Sequence, residues 1–290
     1  MRLLFLIIVF IFGTSISFGQ TTEQSLFWEI SGNGLSKKSY LYGTMHVQDS
    51  RVYQFKDDVL NALDNADFCL FELNLDSVNS LEVIASLIMI NGTTLESLVK
   101  KKEFALIKKY FTDSLQLDIS LFNRIQPFYT ASMIGSKEFK QEETMALDAY
   151  FFDRAKSKSI SCVGLEKLSE QIATFSSIPY TFQITYLMDI INSKYNGKPI
   201  ENELDKMVDL YIKGDIEGLL AFTLNNFTDE EFKNLFEREF IKKRNETMTK
   251  RLVPYIQKGS SFIAVGAAHL GGSYGIIQLL KDKGYTVKAL

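Results

Sequence analysis

Only two histidines occur in this chain of 290 residues, and each follows a glycine by three positions. Gly43-Thr44-Met45-His46 closes the run "YLYGTMH", and Gly266-Ala267-Ala268-His269 closes "SFIAVGAAH". Imidazole is the side chain best suited to proton transfer near neutral pH and to binding divalent transition metals. A single histidine at a strand end is ordinarily structural. Two in matching places invite a chemical reading. Two acids stand in comparable positions: Glu72 ends "FCLFE" and Glu166 ends "SCVGLE". A carboxylate after such an apolar run is costly to bury without a partner. Two histidines plus a carboxylate form a recurrent catalytic metal set that leaves a position open for water. Arg244, with Asn245, interrupts the Lys/Glu monotony around "KKRNETM". A guanidinium there could neutralise a substrate carboxylate or a developing oxyanion.

These residues need strands to present them. "SLFWEI" and "SYLYGTMH" read as two strands joined through "SGNGLSKK", a hairpin. "FKDDVLNALDNA" (55–66) has the spacing of a helix, and "DFCLFELNL" (67–75) reads as a buried strand. The end of the chain repeats this order: "SFIAVGAAH", a helix over 274–284, then "YTVKAL" as a strand. The fold class expected is therefore α/β. Duplicated strand–GxxH–helix–strand units form a central mixed sheet, with a large, mainly helical insertion between the halves. Strand–helix–strand units favour neighbouring parallel strands. In open α/β sheets, ligands bind beyond the carboxyl ends of the strands, where both G-x-x-H elements fall. The insertion spans about 76–255, with one strand near 159–166. Thr93 and Glu96 read as a capping box within it, and a long charged helix begins after Thr228.

The composition is that of a globular protein, and a formal net charge of −3 gives no nucleic-acid footprint. "MRLLFLIIVFIFGTSISFGQ" has the form of a secretory signal peptide: Arg2, an apolar Leu3–Phe12, and a small-residue context at Ser17-Phe18-Gly19. Residues 1–19 are expected to be removed near Gly19-Gln20, leaving 20–290 as one domain in the periplasm or outside the cell. No other segment reads as a stable transmembrane anchor. Cys69 and Cys162 sit in apolar runs and read as buried thiols. "GAAHLGG" lacks the Lys-Ser/Thr ending of a phosphate-binding loop, and there is no G-x-S-x-G nucleophile elbow.

"YLYGTMHV", "FCLFELNL", "CVGLEKLSEQIATF", "KKRNETM" and "FIAVGAAHLGGSYGIIQLLKDKGYTV" together resemble the TraB/GumN family, which also contains the TIKI proteases. The resemblance covers about 26–290, and its most specific parts are the paired G-x-x-H elements and the strand-end glutamate. It implies a duplicated α/β core with a helical insertion. For TIKI-like members it implies a divalent-metal-dependent peptidase, with Mn²⁺ or Co²⁺ as the ion and a peptide or protein as substrate. Carried onto this sequence, it implies His46, Glu72 and His269 as metal ligands, with Glu166 and Arg244 as secondary matches. The expected function is an exported metal-dependent hydrolase, with Glu166 as general base or further ligand and Arg244 as an electrophilic helper. Two alternatives use the same pocket: a non-catalytic peptide- or ligand-binding protein, and a metal-free esterase with the two histidines as acid and base.

Overall fold

The computed structural model describes residues 23–138, 142–195, 200–225, 227 and 229–290. The expected signal segment, 1–19, lies outside them. Six strands form one mixed sheet: β1 (Phe27–Ser31), β2 (Ser39–Thr44), β3 (Phe68–Phe71), β4 (Ser161–Gly164), β5 (Ser261–Gly266) and β6 (Thr286–Ala289). Their spatial order is β4-β3-β5-β2-β1-β6. The hairpin read from the sequence is present, with Trp28 opposite Leu41 in an antiparallel pair. β2, β5, β3 and β4 run parallel to one another. β6 joins the far side of β1 in antiparallel register.

The strands of each strand–helix–strand unit are not neighbours. β5 lies between β2 and β3, and β1 and β2 lie between β5 and β6. This interleaving places the strands that lead to His46 and His269 side by side, with Thr44 opposite Gly266.

Alternation along the strands divides the core into two layers. Tyr42, Cys69, Phe71, Phe262 and Ala264 pack on one face with Val59 and Leu63 of the helix Asp57–Asp64 and Phe151 of the helix Leu147–Ser157. Leu41, Leu70, Ile263 and Val265 pack on the other with Met248 and Leu252 of Lys243–Lys258 and Leu280 of Ile276–Asp282. β5 is covered on both faces, which is why its sequence is continuously apolar. A separate cluster around Tyr110, Phe111, Ile134 and Leu187 holds helices of the middle region together.

Three local readings are corrected. The capping box belongs to Thr94 and Ser97, each side chain bonded to the other's backbone, rather than to Thr93 and Glu96. The charged helix begins where expected, at Glu230 behind the N-cap Asp229, but it is not continuous: a π-helical turn, Glu237–Lys242, interrupts it before Lys243–Lys258. Cys69 and Cys162 face each other across β3 and β4 as free thiols, but only Cys69 is buried.

Candidate functional site

Each of the four parallel strands ends one to three residues before a side chain singled out above. His46 lies two residues past β2, Glu72 one past β3, Glu166 two past β4, and His269 three past β5 on a short 3-10 turn, Ala267–His269. The strands stop there because the chain turns over the sheet edge. Tyr211 fixes one turn by donating its hydroxyl to the Gly43 carbonyl at 2.8 Å. The motif glycines make room for one another's unit. A Cβ on Gly43 would stand 2.8 Å from Leu270 Cδ1 and 3.0 Å from the Ala267 Cβ. A Cβ on Gly266 would stand 3.1 Å from Glu72 Oε1.

Arg244 binds the two acids together. Its Nη2 donates to Glu72 Oε2 and to Glu166 Oε2, each at 2.6 Å, and its Nε donates to both Glu166 oxygens at 3.0 and 3.1 Å. Gln171 Nε2 donates a further bond to Glu166 Oε2 at 3.0 Å. Such forked, charge-assisted bonds fix geometry as well as charge. The π-helical turn ending at Lys242 sets the register in which Arg244 and Asn245 reach the site. On Glu72, desolvation opposes ionisation. His269 when protonated, the Arg244 cation and the Gly266 N–H, 2.7 Å from Oε1, outweigh it and hold the carboxyl down to about 2.

Both histidines are anchored through Nδ1. His269 is buried, and its Nδ1 lies 2.6 Å from Asn245 Oδ1. The Asn245 Nδ2 donates to the carbonyls of His269 and Tyr274 at 3.2 and 2.8 Å. Its Oδ1 must therefore accept, so His269 Nδ1 carries the proton and Nε2 keeps its lone pair. Burial pushes this imidazole down to about 4, with Glu72 pulling upward and Arg244 reinforcing the fall. His46 is different: its side chain is 82% exposed, and its Nδ1 sits 2.9 and 3.0 Å from the two Asp148 oxygens. The hydrogen bond to Asp148 raises its pKa, against desolvation. Nothing in the sequence marks Asp148 as a site residue, and Asn245 stands out there only as the neighbour of Arg244.

The donor chemistry suits a divalent cation in part. The His269 Nε2 lone pair faces Glu72 Oε1 at 3.8 Å, too far for a hydrogen bond. Two donors each about 2.1 Å from one ion stand roughly 3–4 Å apart. A carboxylate or amide oxygen behind each imidazole is also the usual support of a metal-binding histidine. Yet no group of three or more His, Cys, Asp or Glu side chains able to hold a metal ion is gathered among the described residues. The structure thus brings Glu72, Glu166, Arg244 and His269 together; of these Glu72 and Arg244 face a cleft that His46 also lines, while Glu166 and His269 are buried behind it. That cleft, about 650 Å³, is lined by His46, Glu72, Asp148, Arg244 and Gly266 at the sheet edge and by apolar side chains of several helices beyond.

A family model described as the TraB/PrgY/gumN family matches residues 26–289. The chain belongs to this family. A "Metalloprotease TIKI homolog" from Amphimedon queenslandica is 26% identical over 323 residues, covering 93% of this chain and 62% of that protein. "Metalloprotease TIKI1" from Danio rerio is 22% identical, covering 93% of this chain and 64% of that protein. An "Uncharacterized protein" of Treponema pallidum (strain Nichols) is 20% identical, with 90% and 81% covered. This TraB/PrgY/gumN chain thus spans less than two thirds of the TIKI proteins' length. No solved structure gives a significant match. Among the described residues, no helix is long and apolar enough to cross a membrane.

Proposed function

We propose that this TraB/PrgY/gumN chain is an exported metal-dependent hydrolase acting on peptide bonds, with His46, Glu72 and His269 as the ligands of a divalent metal, Mn²⁺ or Co²⁺. The observation that carries the reading is the pair of anchored imidazoles at adjacent parallel strand ends. Each has Nδ1 engaged by Asp148 or Asn245, and each leaves Nε2 without a hydrogen-bond partner among the described residues. The metalloprotease names of the TIKI relatives support the same class of chemistry. The export reading rests on the N-terminal "RLLFLIIVFIF" segment. The matching G-x-x-H units are read as a diverged duplication, with the middle helices inserted between them.

A divalent ion bound there would polarise a carbonyl and lower the pKa of a water molecule. The protein groups have distinct parts. Glu72 supplies a fixed negative charge, held by the Gly266 N–H and Arg244. Arg244 is positioned to stabilise negative charge that develops on a substrate oxygen. Glu166 accepts bonds from Arg244 and Gln171, so its proposed part is to hold Arg244. The general-base role read from the sequence requires those bonds to open.

Purified protein is assayed on a mixed peptide library with Mn²⁺ or Co²⁺ added, beside His46→Ala and His269→Ala. Both variants are expected to lose metal binding and cleavage while keeping their circular dichroism. Retained cleavage in either variant would sink the metal-site reading. One observation favours capture without turnover: Arg244 occupies both carboxylates and no three-ligand group is assembled. Peptide binding without cleavage under any added metal would decide for that second reading.

A further inference from the structure

Beyond the sheet edge, the cleft changes character. Its far wall consists of Val83 and Leu87 from the helix Ser80–Leu87, Phe128 and Tyr129 from Pro127–Glu138, and Ile172 and Phe175 from Leu168–Ser176. All six are half-buried rather than packed away in a core. Among the described residues, charged groups line the cleft only at its sheet end, as Glu72, Asp148, Arg244 and, when protonated, His46. The aromatic part is braced from behind. Phe175 packs edge-on against Phe240 at 5.0 Å and tilted against Phe128 and Tyr129 at 5.4 and 5.3 Å. Phe240 lies on the π-helical turn that leads directly into Arg244. The segment 237–258 therefore braces the apolar wall through Phe240 and carries Arg244 of the polar centre.

We infer that this wall receives a bulky apolar side chain of a peptide, next to the bond that lies over Glu72 and Arg244. The inference rests on the peptidase reading for its polar end, but the apolar preference can be measured without turnover. Three features identify the occupant. A cleft of about 650 Å³ takes a short peptide segment, not a folded domain. A carboxylate or ammonium placed against these side chains would lose its hydration with no charged partner to replace it, only the neutral Ser86, Tyr129, Ser132 and Gln171 of the same helices. Aromatic and branched side chains gain most from such a surface. The polar end meanwhile offers Arg244 and the Asp148–His46 pair to the peptide backbone.

The test is calorimetric titration of the wild-type protein with four short synthetic peptides that differ only at one central position: Phe, Leu, Gly or Asp. The Phe and Leu peptides are expected to bind at least about tenfold tighter than the Gly peptide, with the Asp peptide weakest. Ile172→Asp and Val83→Asp, on different helices, are each expected to remove that preference while the far-ultraviolet circular dichroism stays as in wild type. Equal binding of all four peptides, or tighter binding of a saturated fatty acid than of the Phe peptide, would overturn the inference. Cleavage is followed separately with Mn²⁺ added. Apolar-selective binding without cleavage leaves this inference standing and removes the hydrolase reading. Cleavage indifferent to the central residue does the reverse.

Discussion

Asn245 gives the sharpest perturbation of the site. It is fully buried, accepts from His269 Nδ1, and donates to the His269 and Tyr274 carbonyls. Asn245→Ala leaves one buried N–H and two carbonyls short of a partner. Each unsatisfied buried group costs about 1–3 kcal/mol, and partial relaxation brings the sum to about 3 kcal/mol. For a chain of this size that corresponds to a fall in melting temperature of roughly 6–12 °C. Loss of a group that orients a metal-binding histidine costs about 10–100-fold in metal affinity. Asn245→Asp keeps the acceptor for His269 but not the donor. It is expected to be as unstable as the alanine variant while retaining more of the affinity for Mn²⁺. Differential scanning calorimetry reads the first effect and Mn²⁺ titration the second. A melting temperature within about 2 °C of wild type, or equal Mn²⁺ affinity in both variants, would refute the argument that Asn245 fixes His269.

Gly43→Ala should destabilise by about 2 kcal/mol, because its Cβ meets Leu270 and Ala267 across two strands; an unchanged denaturant midpoint contradicts this. Gly266→Ala meets only the Glu72 carboxylate and the His269 ring edge, so a smaller stability loss with weakened Mn²⁺ binding is expected from the same measurements. Stability should also fall at alkaline pH. Burial pushes Tyr42 and Cys69 each up to about 12, from ordinary values of 10.0 and 9.0. Below pH 9 both groups are protonated in folded and unfolded chains, and their contribution is fully present. As pH rises toward 12 the unfolded chain releases these protons first, and stability drops. Cys69→Ala should flatten the part of that slope that begins near pH 9; an unaltered slope would rule the thiol out as its source.

The sheet could be read because its strands are apolar runs bounded by turns, and the hairpin, the helices expected over 55–66 and 274–284 and all six strands fall close to their expected places. The order of the strands could not be read. Hydrophobic pattern says which residues are buried, not that β5 inserts between β2 and β3. Strand ends were extended too far for the same reason: Ala267 and Ala268 continue the apolar run of β5 but lie in a 3-10 turn. At the site, the residues that carry charge or lone pairs stood out by type. Their supports did not. Asp148 lies 102 positions from His46, in the helix Leu147–Ser157. The joint hold of Arg244 on Glu72 and Glu166 spans separations of 172 and 78 residues, which only the fold brings to contact distance.

The central claim is that His46, Glu72 and His269 hold one divalent metal. It is tested most directly by titrating metal-stripped protein with Co²⁺ and following visible absorption, with elemental analysis after desalting. The expected result is one ion bound per chain in wild type, with the spectrum and the ion lost together in His46→Ala and in His269→Ala. A Co²⁺ spectrum and stoichiometry unchanged in both histidine variants would contradict it.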